Sequence, residues 1–214
     1  PAHGLSRPFE LSFSMQDIVH YLYTIFQIEH IVMPIFVGQS LGGYIAQVYI
    51  TEHPNTTLGF ISVDSCPMSR RYYSWWELAL MRHTKGMYMS IPWKLLLKWG
   101  INGTSETSYG RQVMKNAWSV YTKEEYCSLA DYGYRILVEA ITARETYSIT
   151  CPVLLLCGER DHAGSAKRYN RNWAKFEGYK LCWITDAGHN SNTDSPEQVN
   201  NLIELFVGEL SSEI

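Results

Sequence analysis

Four short apolar runs, at 31–37, 58–63, 152–157 and 179–184, alternate with segments of helical periodicity. After the first run, Leu41, Tyr44, Ile45, Val48 and Tyr49 recur on one helical face until His53-Pro54-Asn55 stops the pattern. After the third, residues 165–176 read as a helix that stops at Gly178. After the fourth, Ser195-Pro196-Glu197 opens a last helix through Val199, Leu202, Ile203 and Phe206. A further helix precedes the first run, opened by the capping-box pattern Ser14-Met15-Gln16-Asp17 and carried by Ile18, Leu22, Ile25 and Phe26. Strands that alternate with helices pair in parallel, because the helix is the crossover. The fold class is therefore α/β, a doubly wound and mostly parallel sheet.

One stretch breaks the alternation. Residues 69–130 hold Trp75, Trp76, Trp93, Trp99 and Trp118 with Met81, Met87, Met89 and Met114, and lack the period-2 pattern of strands. They read as a helical insertion, followed by one more helix at 129–143. The organisation expected is a core sheet in two parts, 1–68 and 131–214, with the insertion at 69–130 between them.

Composition narrows the function. A formal charge of −3 with no basic block gives no electrostatic reason to expect nucleic acid or an anionic membrane surface as a partner. Leu95-Leu96-Leu97 between Lys94 and Lys98 is too short to anchor a membrane. The five cysteines, Cys66, Cys127, Cys151, Cys157 and Cys182, are odd in number and form no C-x-x-C pair. Free thiols in a reducing compartment are expected, and with no signal peptide a cytoplasmic location. The sequons at Asn55 and Asn102 then count as chance matches. No cluster of His, Cys and Asp has metal-ligand spacing, so no metal or organic cofactor is expected.

The stretch Gly38-Gln39-Ser40-Leu41-Gly42-Gly43 fences one serine with glycines where a strand ends and a helix begins. In sheets of this kind catalytic groups collect at the carboxyl ends of the strands. Ser40 sits at the first such end, Asp161 follows the run ending Cys157-Gly158-Glu159-Arg160, and His189 follows the run ending Thr185-Asp186-Ala187-Gly188. A serine hydroxyl becomes a good nucleophile only when a base takes its proton and a carboxylate fixes the tautomer of that base.

The three motifs around Ser40, Asp161 and His189 resemble, in that chain order, the nucleophile, acid and base motifs of the α/β-hydrolase superfamily. His53-Pro54 to Asp64-Ser65 and the opening Ala2-His3-Gly4-Leu5-Ser6-Arg7-Pro8 are similar to further parts of that fold. The resemblance implies that residues 69–130 are its variable cap and that Leu41 N–H is one oxyanion donor. It also implies that Gln39, where many relatives carry His, bears on substrate preference. Asp64 is a rival acid, since some members place the carboxylate one strand earlier. Trp75, Trp76 and Trp93 are the cap side chains picked to line a pocket.

The activity this resemblance implies is esterase-like, on a small apolar acyl compound: an ester, thioester, lactone or small amide. Acyl transfer, C–C bond cleavage by the same triad, and non-catalytic ligand binding remain alternatives, and the oligomeric state stays open. The strands and oxyanion loop that such folds carry ahead of this point are not in the sequence. The strand at 31–37 is thus expected at an open edge, and the second oxyanion donor is unassigned. Loss of one such donor costs about 3–4 kcal/mol of transition-state stabilisation.

Overall fold

The computed structural model describes residues 1–7, 10–143 and 147–212. Pro8, the last residue of the opening loop, lies outside them. In chain order the elements are α1 (Met15–Ile28), β1 (Ile35–Gln39), α2 (Leu41–Glu52) and β2 (Gly59–Val63). Among the described residues five α-helices follow: α3 (Trp75–Met81), α4 (Thr84–Ser90), α5 (Trp93–Thr104), α6 (Ser108–Trp118) and α7 (Lys123–Thr142). The chain then returns to the sheet through β3 (Val153–Gly158), α8 (Ala166–Glu177), β4 (Lys180–Ile184), α9 (Ser191–Asp194) and α10 (Pro196–Ser212). Among the described residues the four strands pair in the order β1-β2-β3-β4, all parallel.

Burial on both faces explains the near-continuous apolar character of β2 and β3. Alternate residues point to opposite faces. Phe60, Val153 and Leu155 pack with Val19, Val48, Tyr49, Leu137 and Trp173 on the side of α1, α2, α7 and α8. Ile61, Val63, Leu154, Leu156 and Ile184 pack against Val199, Phe206 and Leu210 of α10. Each such side chain contributes about 1.5–3 kcal/mol through burial.

Local signals set the helix ends. Ser14 and Asp17 form the expected capping box of α1, and Gly178 closes α8 in the left-handed region at φ +74°. Two expectations need correction. The first strand begins at Ile35 rather than at residue 31, because His30 (φ +52°) and Met33 (φ +54°) are left-handed and Pro34 has no N–H for a ladder. Pro34 contributes only its carbonyl, which accepts from Leu58 N at 3.0 Å. The helix expected at 129–143 starts earlier, at Lys123, capped by Thr122 and Glu125. All five cysteines are free. No helix among the described residues is long and apolar enough to cross a membrane.

Candidate active site

Ser40 is the single residue between β1 and α2, and it turns the chain at φ +47°, ψ −114°. A non-glycine residue held there costs about 1–3 kcal/mol, so its surroundings must fix it. Ser40 N donates to Val63 O at 2.9 Å, and Gly43 N donates to Ser40 O at 3.0 Å. Two of the three flanking glycines are required by space. A Cβ on Gly38 would lie 2.5 Å from Gly43 N, and one on Gly43 would lie 2.4 Å from Ser65 Cβ. Gly42, read from its position as a second residue that tightens the turn, faces open space instead, and a Cβ there would meet nothing within 4 Å.

The turn after β3 and the loop after β4 bring two more groups to Ser40. His189 Nε2 lies 2.9 Å from Ser40 Oγ, and His189 Nδ1 lies 3.0 Å from Asp161 Oδ2. The second oxygen of Asp161 accepts from Ala163 N at 2.7 Å, and its side chain is fully buried. Burial opposes a charge on His189, but the hydrogen bond to Asp161 and the charges of Asp161 and Asp64 outweigh it and hold the imidazole above its ordinary value. A hydroxyl, an imidazole and a buried carboxylate in this chain can pass one proton from Ser40 to His189 while Asp161 fixes the tautomer.

The base loop is tied down on several sides. The Gln39 amide donates to His189 O at 2.9 Å and to Asn190 Oδ1 at 3.3 Å, so this side chain braces the base loop. Asn190 N donates to Thr104 O at 2.9 Å. The Asp194 carboxylate accepts from Gly188 N, Glu106 N, Thr107 N and Thr107 Oγ1 at 2.8–3.1 Å. Thr104 to Thr107 join α5 to α6, so the helical insertion is bonded directly to the loop that carries His189. No local spacing in the sequence marks Asp194, since three of its four donors come from Glu106 and Thr107, nearly ninety residues earlier in the chain.

The tryptophans fall in two settings. Trp75 and Trp76 on α3 are 76% and 52% exposed. Trp93, half-buried, packs on Tyr126, which also meets Trp118 and Tyr88. On the inner side of α3, Glu77 is buried and accepts from Ser165 Oγ at 2.9 Å and from Arg168 on α8. Burial pushes its carboxyl up, but hydrogen bonds from Ser74, Tyr169 and Ser165 outweigh that and lower it to about 2.

Asp64, the rival acid, does not meet the imidazole in a hydrogen bond. Its carboxylate accepts from Gly158 N at 2.8 Å and Ser191 N at 2.9 Å. Asp64, Cys157 and Asp161 form the one group among the described residues compact enough to surround a metal ion, with candidate donor atoms within 4.8 Å of each other. The oxygens of both acids are already engaged by backbone N–H groups or by His189. Burial keeps the Cys157 thiol protonated. That donor set fits a proton-transfer site better than a metal centre.

A family model matches most of the sequence, and solved structures share the fold. A family model described as serine aminopeptidase, S33, matches residues 3–190. Among solved structures, one comes from work on carboxylesterases of the thaumarchaeon Nitrososphaera gargenis, with TM-score 0.72 and 15% identity over 100% of this chain and 79% of that one. A thermophilic esterase from Thermogutta terrifontis gives TM-score 0.68 and 18% identity over 98% and 77%. An esterase from Exiguobacterium antarcticum gives 0.67 and 16% over 97% and 78%. At such identities the likeness carries the fold. A search of curated proteins found no match.

Proposed function

Since the chain belongs to the serine aminopeptidase (S33) family of α/β-hydrolases, we propose that it cleaves a carboxylic ester with an apolar part through an acyl-enzyme. The carrying observation is the hydrogen-bonded chain Ser40–His189–Asp161 on a serine held at positive φ. In this reading Ser40 Oγ attacks the carbonyl carbon while His189 Nε2 takes the hydroxyl proton. Asp161 holds the Nδ1–H tautomer and stabilises the imidazolium that forms. The negative charge that develops on the carbonyl oxygen falls to Leu41 N–H. As the first residue of α2, Leu41 has an amide with no acceptor inside its own helix. His189 then protonates the departing alcohol, and water attacks the acyl-Ser40 carbonyl by the reverse route.

Thioesters, lactones and small amides are open to the same steps. The esterase neighbours favour an oxygen ester, and the aromatic cap favours an apolar part. The test is hydrolysis of p-nitrophenyl acetate, butyrate and octanoate by the protein and by Ser40→Ala. Turnover that Ser40→Ala loses supports the reading. Turnover that survives in Ser40→Ala, or none on any ester, contradicts it.

A further inference from the structure

Asp64 has no part in the proton path from Ser40 to His189, yet it is 1% exposed and one of its carboxylate oxygens lies within 4.8 Å of one of Asp161. Its backbone is fixed in the left-handed region at φ +48°, with Asp64 N donating to Leu156 O at 2.8 Å. The two carboxylate oxygens face different loops. Oδ1 accepts from the N–H of Gly158, which ends β3 three residues before Asp161. Oδ2 accepts from the N–H of Ser191, two residues after His189. The same two loops press together at Gly158, where a Cβ would lie 2.2 Å from Gly188 O. One buried carboxylate thus grips the acid loop and the base loop at their roots.

Resting on the reading of Ser40, His189 and Asp161 as a hydrolytic triad, we propose that Asp64 is a positioning residue for His189. It locks the acid and base loops in register through two backbone amides and supplies a second anion near the imidazole.

The titratable groups facing Asp64 are His189 from the base loop, Asp161 and Cys157 from β3 and its turn, and Cys66 from the chain after β2. Burial holds both thiols protonated, Cys66 at about 12, so the acids are the anions beside the imidazole. Burial also pushes the Asp64 carboxyl up to about 6, against the pull of the Ser191 and Gly158 hydrogen bonds and of His189. The influence is mutual, since the Asp64 charge raises His189. A carboxylate that acted on His189 through its charge alone would move that titration and leave kcat little changed, so the rate and the acid limb together report the positioning role.

The variant Asp64→Asn keeps the size and removes the charge. With p-nitrophenyl butyrate it is expected to lose roughly 10- to 100-fold in kcat, with KM within about twofold. The acid limb of kcat/KM should move down by about half a pH unit or more. A folded Asp64→Asn with the wild-type rate, or with an unmoved acid limb, overturns the proposal. If that variant does not fold, the wild-type protein carries the test by nitrogen NMR. The Ser191 and Gly158 amides should shift in a titration step shared with the His189 ring, and amides that share no step with it overturn the proposal. This arm needs no turnover. A wild-type protein that fails to hydrolyse the ester would defeat the triad reading, while the Asp64–His189 linkage would still be read.

Discussion

At Gly42 and Gly43, neighbours in one helical turn, the same substitution has opposite consequences. Ala at 43 drives its methyl into the short, buried side chain of Ser65, whose atoms would lie 2.4 and 2.5 Å away. Overpacking of this kind costs about 1–3 kcal/mol. Ala at 42 meets open space and gains helix propensity of up to ~1 kcal/mol. Thermal melts should therefore show Gly43→Ala several degrees below wild type and Gly42→Ala at or slightly above it. The reverse order would disprove the packing described for the turn. His189 sets the second outcome at this scale. The neutral imidazole is the base, and its neighbours hold it above 6.5, so ester hydrolysis should rise with pH through an apparent pKa above 6.5. Asp161→Asn should move that limb down and slow the reaction by about 10³–10⁴-fold. A limb that Asp161→Asn leaves unmoved would contradict the placement of Asp161 against Nδ1. Ser40, Asp161 and His189 were legible in the sequence because each sits in a short motif directly after an apolar run. Asp64 and Asp194 were not legible in these roles, because a carboxylate that ties together segments distant in the chain leaves no spacing to read.

Among the elements, the helices were the easier part, since their caps are local. The Thr122-Lys123-Glu124-Glu125 box was also present in the sequence and marks the true start of α7. The start of β1 was harder. Ile31-Val32-Met33 is built of strand-forming residues, and only Pro34 warned that the ladder begins after it. Contacts between elements were beyond reach, and Glu77 shows the reason. It caps α3 locally through Ser74, while its other oxygen joins α3 to Ser165 and Arg168 at the start of α8. Its carboxyl is lowered from 4.5 to about 2, so the folded state gains stability above 4.5 and loses it as pH falls through 2. Glu77→Gln should cost roughly 2–3 kcal/mol near neutral pH, and the deficit should close progressively as pH falls below about 4.5. Denaturant melts at pH 7 and pH 3 check this, and an equal deficit at both would show that the ionised carboxylate is not what joins the helices.

For the molecule as a whole, the sheet is closed by helices on its faces and has β1 at one edge. Among the described residues β1 pairs only with β2. Near that edge Val37 is 49% exposed and Val32 83%, with Ile28, Ile31 and Met33 also exposed. Unpaired strand edges beside apolar side chains promote association between copies, and a lysine on the edge opposes it. Val37→Lys should therefore raise the monomer fraction in light scattering after gel filtration and leave ester hydrolysis unchanged. An unchanged monomer fraction would remove the edge as the cause of any self-association. The central claim, that the fold delivers an activated serine at the end of β1, is tested most directly by intact-mass spectrometry after reaction with a fluorophosphonate. A single adduct on Ser40 of the wild-type chain is expected. None should form in Ser40→Ala, and labelling should slow by about 10³-fold or more in His189→Ala. A wild-type chain that takes up no probe, or a Ser40→Ala chain that labels as fast as the wild type, would contradict that claim.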